Sequence, residues 1–179
     1  MLSSNDKLAR NISSVACELK CLEILDLSNN GFISRFIPQC LRNSSDRLSV
    51  LHLGVNNLHG NIPSIYSEGN NLGYLNFNGN QLKGAVSFIN CVNLEFLNLG
   101  NNMIDDTFPS FLEMLPKLEV LDLSNNSLSG PLPTEYFNNF KVMMNVDQVM
   151  DYVRAKNVST SYVYSVTMTW KGLEIDFNL

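Results

Sequence analysis

The sequence contains few of the residues that build catalytic and metal centres. It has two histidines and four cysteines, without a CxxC pair or a histidine cluster, whereas a zinc site needs three or four such ligands at short spacings. We expect His52 on the outward side of a strand and His59 in a turn, each as an isolated surface residue. The GxSxG, HExxH and glycine-rich phosphate-binding motifs are also missing. The sequence therefore predicts no metal, no cofactor and no enzyme activity.

Charged residues and long apolar runs are scarce as well. Asp, Glu, Lys and Arg make up 16% of the chain, the net charge is −5, and no block of like charges occurs. This composition argues against a nucleic-acid partner. No apolar run approaches the roughly 20 residues that span a bilayer. The first residues lack the basic start and apolar segment of a signal peptide, so we expect neither a secretion signal nor membrane contact by this chain itself.

One sequence pattern of leucine and asparagine, called the repeat frame below, occurs many times. Five copies of LxxLxLxxN, with phenylalanine replacing one leucine, begin at Leu22, Leu48, Leu72, Leu94 and Leu118. The final asparagines lie 26, 24, 22 and 24 residues apart, which is the period of a leucine-rich repeat. A coil of this length cannot bury its own leucines, and stacked coils bury a continuous apolar column between them. The sequence therefore predicts an α/β-type solenoid with a parallel concave sheet.

Strand alternation within each copy gives the positions of the sheet strands. They are predicted near residues 24–26, 50–52, 74–76, 96–98 and 120–122. The asparagine that follows each strand is explained by hydrogen bonding, because its amide supplies both donors and an acceptor where the backbone leaves the sheet. Leucine there would leave buried groups unpaired, at roughly 1 to 3 kcal/mol each. We therefore predict a structural asparagine ladder of Asn30, Asn56, Asn80, Asn102 and Asn126.

Two copies continue as LxGxIP or a close variant, at Leu58–Pro63 and Leu128–Pro133. The complete string LxxLxLxxNxLxGxIP resembles the plant-type extracellular leucine-rich repeat. That resemblance implies a second short strand at the Gly-x-Ile-Pro step.

The repeat divides the chain into three parts. Residues 1–21 are interpreted as a degraded partial repeat, 22–135 as five leucine-rich repeats, and 136–179 as a truncated non-repeat segment. In that last part, loosely helical spacing predicts a short amphipathic helix over 136–152, with an ordered excursion as the alternative. Alternating β-branched and aromatic residues predict a strand over 162–170, and another alternating segment begins at Leu173.

The non-repeat segment carries a narrower resemblance. Its strings are Leu132–Phe137, Met143–Met144, Tyr164–Thr169 and Lys171–Ile175. They look like the segment that interrupts the repeats in plant receptor-like proteins of the disease-resistance class, which are cell-surface receptors without a kinase domain. The resemblance implies recognition of a peptide or protein ligand, signalling through a co-receptor kinase, and a place on the extracellular side of the plasma membrane. We expect the chain to be part of such an ectodomain and to aggregate when expressed alone.

Two alternatives to a receptor stay open. One is a secreted leucine-rich-repeat inhibitor of a microbial cell-wall hydrolase, although such inhibitors have uninterrupted repeats. The other, more distant, is a structural adaptor.

The outward strand side chains of the concave sheet are the candidate ligand-binding residues. Exposed aromatic rings beside amides and carboxylates have the character of an interaction hot spot. The alternative is a solvated sheet in which aromatics only favour the strand conformation. The predicted site consists of His52, Tyr74, Asn76, Phe96, Asn98 and Asp122.

Cysteines and glycosylation sequons give further candidates. Cys17 and Cys40 are 23 residues apart, about one coil, so stacking can bring them within disulfide range, about 4.4 to 6.8 Å between Cα atoms. The alternative is that all four cysteines are small buried residues, which fits Cys91 best. Asn-x-Ser sequons, which either carry glycans or occur by chance in an Asn-rich chain, lie at Asn11, Asn43, Asn125 and Asn157.

Overall fold

The fold is a solenoid, described by a computed structural model. The structure describes residues 12, 18, 19, 21–30, 36–43, 47–63, 68–130, 165–170 and 173–178. These residues form nine strands, β1 Ile24–Asp26, β2 Val50–His52, β3 His59–Asn61, β4 Tyr74–Asn76, β5 Gln81–Lys83, β6 Phe96–Asn98, β7 Val120–Asp122, β8 Ser165–Trp170 and β9 Leu173–Asn178. Two short 3₁₀-helices span Gln39–Asn43 and Ser110–Met114.

The concave sheet contains β1, β2, β4, β6 and β7 in that order, all parallel. Equivalent residues of successive coils pair in register, so the central leucines form one row. In the three middle strands these leucines are completely buried, as Leu51, Leu75 and Leu97. The five strand positions predicted from the repeat are confirmed.

A second, smaller parallel sheet follows the ladder asparagines. It consists of β3 and β5, and single bridges from Lys83 to Met103 and from Thr107 to Ser129 continue the row into later coils. The second short strand implied by the family resemblance is therefore present. His59 belongs to β3, so its predicted position in a turn was wrong.

Three phenylalanines link the core across neighbouring coils. Phe77 occupies a leucine position of the frame, and its ring centroid lies 6.5 Å from that of Phe88. Phe88 in turn meets Phe111 edge-to-face at 5.6 Å. All three are buried, so this phenylalanine row contributes aromatic packing in addition to buried apolar area.

The ladder asparagines bond to the backbone of their own coil and of the coil before it. Asn80 is representative, because its Nδ2 donates to the carbonyls of Phe77 and Leu53, each at 3.0 Å. Its Oδ1 accepts the backbone N–H of Leu58 at 3.0 Å. Leu53 and Leu58 both belong to the preceding coil. One amide therefore satisfies polar groups on two coils at once.

The other ladder asparagines extend this arrangement. Nδ2 of Asn56, Asn102 and Asn126 also donates to a carbonyl of the preceding coil. Asn30 donates to two carbonyls of its own coil. Asn56 Oδ1 is buried without a partner among the described residues. For Asn80, the equivalent oxygen accepts the N–H of Leu58. The position equivalent to Leu58 in the coil before Asn56 is residue 32, which lies outside the described residues.

The residue before each ladder asparagine has a left-handed backbone. The positive φ angles belong to Asn29, Val55, Gly79, Asn101 and Asn125 and range from 51° to 66°. Asparagine and glycine tolerate this conformation, whereas a β-branched side chain is strained in it. The backbone thus explains why asparagines occur in pairs in three of the repeats, and it makes Val55 the exception.

We expect Val55→Asn to raise the free energy of unfolding by about 1 kcal/mol, because asparagine relieves the left-handed strain. Val55 is 53% exposed, so little packing is lost. Chemical denaturation of the two proteins measures the difference. The matched control is Val92→Asn, a comparably exposed valine that lacks a positive φ. Equal effects of the two substitutions would contradict this explanation.

The described C-terminal residues form an antiparallel hairpin. β8 pairs with β9, with Val166 opposite Phe177. The strands predicted at 162–170 and from Leu173 onward correspond to β8 and β9. The helix predicted over 136–152 lies outside the described residues.

Candidate ligand-binding site

The concave face presents two outward columns of strand residues. Strand alternation turns the middle residue of each strand inward and its two neighbours outward. The first column contains Ile24, Val50, Tyr74, Phe96 and Val120, paired in register across the five strands. The second contains Asp26, His52, Asn76, Asn98 and Asp122. All are half-buried except Ile24, which is exposed.

Four of the six predicted site residues form one cluster. The rings of Tyr74 and Phe96 stack with centroids 4.3 Å apart and an interplanar angle of 8°. His52 meets Tyr74 edge-on at 5.9 Å. Asn76 Nδ2 donates to the Tyr74 hydroxyl at 3.2 Å. These contacts hold a half-exposed aromatic surface in a fixed orientation at the centre of the sheet.

The polar residues at the ends of the strands also close the turns that follow. Asn76 and Asn98 each accept a backbone N–H from two residues further on, at 3.0 and 2.9 Å. Asp122 Oδ1 accepts both the N–H and the hydroxyl of Ser124, at 2.9 and 2.6 Å. From the sequence, these residues were expected only to bind a ligand. The Asp-x-Ser, Asn-x-Asn and Asn-x-Gly spacings are the signal for this turn, because short carboxylate and amide side chains bond to the backbone two residues on.

His52 and Asp26 form a polar pair at the edge of the cluster. His52 Nδ1 lies 3.6 Å from Asp26 Oδ1. Burial lowers the pKa of His52 below its usual value, and the carboxylate of Asp26 offsets only part of this. Burial raises the pKa of Asp26, but the hydrogen bonds from Ser28 and the charge of His52, which is protonated at the low pH where Asp26 titrates, bring the net value below its usual range. His52 is therefore neutral at pH 7.

The lowered pKa of His52 makes stability depend on pH. The folded state binds fewer protons at this site than the unfolded chain, so stability falls as the pH decreases from 7 through the unfolded pKa of about 6.5. We expect His52→Gln, which cannot titrate, to show a smaller decrease in Tm than the wild type between neutral and mildly acidic buffer. Thermal unfolding at both pH values tests this. Equal decreases in the two proteins would contradict it.

Comparisons with known proteins agree with the fold. Leucine-rich-repeat family models match residues 21–44 and, as two copies, 92–134. The chain is 33% identical to Receptor-like protein 35 of Arabidopsis thaliana, covering 98% of this chain and 21% of that protein. It is 36% identical to Receptor-like protein 32 of the same plant, covering 98% and 23%. This chain belongs to the plant leucine-rich-repeat receptor-like proteins. It spans about a fifth of the length of these relatives.

A solved receptor structure shares the solenoid of this receptor-like protein. It is the Arabidopsis receptor kinase HAESA in complex with the peptide hormone IDA and the co-receptor SERK1. The TM-score is 0.66 at 34% identity, covering 71% of this chain and 21% of that chain. HAESA, which has the same kind of solenoid, is thus in a complex with a peptide and a co-receptor.

The cysteines of this receptor-like protein differ in state. Cys40 is disulfide-bonded, whereas Cys21 and Cys91 are free thiols. Burial raises the pKa of the Cys91 thiol to about 12, so this cysteine is unreactive at neutral pH. Cys17 lies outside the described residues. The pairing of Cys17 with Cys40 stays a prediction, which peptide mapping without reduction would test.

The sequons are placed differently along the chain. Asn125 is exposed, and its Nδ2 donates to Asn101 Oδ1 at 2.8 Å. Asn43 ends the 3₁₀-helix Gln39–Asn43. Asn11 and Asn157 lie outside the described residues. Glycosylation at all four remains a prediction.

Within the part of the chain that the structure describes, no group of three or more His, Cys, Asp or Glu residues could hold a metal ion. None of the described helices has the length and apolar character needed to cross a membrane.

Proposed function

We propose that this chain is the ligand-recognition part of an immune or developmental cell-surface receptor-like protein that binds a peptide or protein and signals through a partner kinase. The observation that carries the proposal is the stacked pair of Tyr74 and Phe96 at the centre of the concave sheet. The relatives support it, because they are receptor-like proteins and because HAESA is seen with a peptide hormone and a co-receptor. The proposal includes an extracellular location at the plasma membrane and the absence of enzyme activity.

The chemistry of the cluster is suited to anchoring a ligand. Large rings on a rigid sheet lose little conformational entropy on binding, and aromatic residues dominate the binding energy of many interfaces. The edge-on contact with His52 and the hydrogen bond from Asn76 hold Tyr74 in place before a ligand arrives. A preorganised aromatic surface with polar neighbours supplies both affinity and orientation.

The receptor assignment also rests on how the relatives align. Similarity to the receptor-like proteins extends over 98% of the chain, and therefore beyond the repeats. We accordingly propose that residues 1–21 are a degraded partial repeat and that residues 22–135 form five leucine-rich repeats. Residues 136–179 would then be the truncated non-repeat segment that interrupts the repeats in this family. No observation on the described residues favours the secreted inhibitor.

The proposal can be tested by selecting peptides from a random phage-displayed library on the full-length receptor, because the chain is expected to aggregate when expressed alone. We expect the selected peptides to lose at least about tenfold in affinity for Tyr74→Ala and for Phe96→Ala, equivalent to roughly 1.4 kcal/mol. Fluorescence polarisation measures the affinities. The matched control is Met103→Ala, an exposed apolar residue in the smaller sheet. If the selected peptides bind both ring variants with the same affinity as they bind the wild type, the cluster is not the binding site.

Signalling is tested separately in plant cells. A selected peptide should induce phosphorylation of a receptor kinase that co-precipitates with the full-length receptor. The Tyr74→Ala receptor, expressed to the same level, should not respond. Equal phosphorylation with and without peptide would contradict signalling through a partner kinase.

A further inference from the structure

Asn78 lies on the concave face next to the aromatic cluster. It follows Phe77, which is completely buried, so alternation turns the half-buried Asn78 side chain outward. Along the coil it is the next outward residue after Asn76, whose Nδ2 donates to the Tyr74 hydroxyl. Successive outward residues of an extended chain are about 7 Å apart. The Asn78 side chain is therefore a near neighbour of the polar edge of the cluster.

The backbone of Asn78 is held by the coils on both sides. Its N–H donates to Asn76 Oδ1 at 3.0 Å, and its carbonyl accepts the N–H of Val55 at 2.7 Å. The N–H of Gly79 donates to the carbonyl of Gly100 at 3.0 Å. The parallel hydrogen bonding thus continues past the end of β4. A side chain on such a fixed backbone loses less conformational entropy when it binds a ligand.

The side-chain amide of Asn78 has no hydrogen-bond partner among the described residues. Asn76 differs, because its Oδ1 accepts the N–H of Asn78 and its Nδ2 donates to Tyr74. Asn98 uses its Oδ1 for the N–H of Gly100 at 2.9 Å, and only its Nδ2 stays available. Asn78 thus offers a ligand both a donor group and an acceptor.

The neighbours of Asn78 in the next outward column offer no comparable group. This third column stands two residues beyond each strand and consists of Ser28, Gly54, Asn78, Gly100 and Ser124. The two serine hydroxyls donate to the aspartates of their own turns. Strand-end side chains occupy the space over the glycines, because an added Cβ would lie 3.0 Å from His52 Nε2 at Gly54 and 2.6 Å from Asp122 Oδ2 at Gly100. In this column, Asn78 alone presents an unengaged polar side chain.

We propose that Asn78 binds the main chain of an extended peptide. Its Oδ1 accepts the N–H of one peptide residue, and its Nδ2 donates to the carbonyl of the same residue. This deepens the proposed function and rests on it. In an extended chain the N–H and the carbonyl of one residue point the same way, whereas a helix uses both groups internally. The main-chain bonds supply affinity for any extended peptide, and a peptide side chain on the Tyr74–Phe96 pair supplies specificity.

The experiment uses the peptides selected on the full-length receptor. We expect Asn78→Ala to weaken binding of the most enriched peptide about tenfold, because two hydrogen bonds are lost. Fluorescence polarisation measures the affinities. The matched control is Asn71→Ala, which should leave the affinity unchanged. Asn71 is an exposed asparagine at the start of the same repeat, and its amide also lacks a partner among the described residues.

Methylating each backbone nitrogen of the peptide in turn identifies the main-chain contact. At one position, methylation should weaken binding to the wild type about tenfold, because the N–H that Asn78 accepts is removed. The same methylation should cost the Asn78→Ala receptor less than about threefold, because its partner is already absent. The Tm of this variant should equal that of the wild type, since the side chain makes no bond within the described part of the protein.

The outcomes separate this inference from the proposed function. Peptides that need Tyr74 but bind Asn78→Ala as tightly as the wild type would overturn the contact with Asn78 and leave the concave site intact. Additive effects of Asn78→Ala and of every methylation would overturn the main-chain contact. A lowered Tm together with weaker binding would assign Asn78 a structural role, which also overturns it. Peptides that bind Asn78→Ala, Tyr74→Ala and Phe96→Ala as tightly as the wild type would overturn both proposals.

Discussion

Replacing Asn80 by leucine should lower the free energy of unfolding by roughly 3 to 6 kcal/mol, enough to prevent folding at moderate temperature. The carbonyls of Leu53 and Phe77 would lose the Nδ2 donor, and the N–H of Leu58 would lose its acceptor. Asn80 is 8% exposed, so water cannot replace these bonds without opening the coil. Chemical denaturation followed by circular dichroism measures the loss.

The control for Asn80→Leu is Asn93→Leu. The Asn93 side chain is partly exposed and accepts one bond, from Lys117 Nζ at 2.7 Å. Its replacement should change the free energy of unfolding by less than about 0.5 kcal/mol. If the Asn80 variant is too unstable to purify, amide hydrogen exchange in Asn80→Ser should show selective loss of protection at Leu58. Similar losses at positions 80 and 93 would contradict the ladder explanation.

Phe88→Ala should lower the free energy of unfolding by about 3 to 5 kcal/mol. Phe88 is 1% exposed and contacts Phe77 on one side and Phe111 on the other. Its removal leaves a cavity between two coils and interrupts the phenylalanine row. Denaturant unfolding of the purified variant measures the effect.

Two variants isolate the contribution of the Phe88 ring. Phe88→Leu retains most of the buried volume and should cost less than about 1.5 kcal/mol. Ile89→Ala truncates the neighbouring side chain, which is 46% exposed, and should be nearly neutral. A cost for Phe88→Ala no greater than that for Ile89→Ala would show that the row does not stabilise the fold.

The repeat frame predicted the concave sheet because it records burial directly. Leucines at fixed spacing must point inward, so the strand positions and the outward columns follow from alternation alone. Phe88 and Phe111 were not identified because they lie outside the frame, and periodicity does not tell which side chains meet across coils. The left-handed position before each ladder asparagine was also missed, since leucine spacing contains no information on φ.

The candidate site was only partly predictable for a related reason. Alternation indicated that Tyr74 and Phe96 face outward on neighbouring strands, but stacking depends on rotamers that the sequence pattern does not specify. The second role of Asn98 and Asp122 was missed because strand alternation indicates their exposure but not their bond to the backbone N–H two residues away. Polar residues at strand ends were assigned to the ligand although the turn already uses one oxygen of each.

The shared hydrogen bonds of the ladder also impose an order in time on a chain leaving the ribosome. Asn80 donates to a carbonyl 27 residues earlier, so the backbone at Leu53 stays incompletely bonded until translation has passed Asn80. Every newly made repeat waits for its successor, and completed structure follows synthesis at a delay of about one repeat. A translational pause that keeps a ladder asparagine inside the ribosomal exit tunnel would hold the preceding repeat open to chaperones, whereas a pause after the asparagine has left the tunnel would let that repeat close.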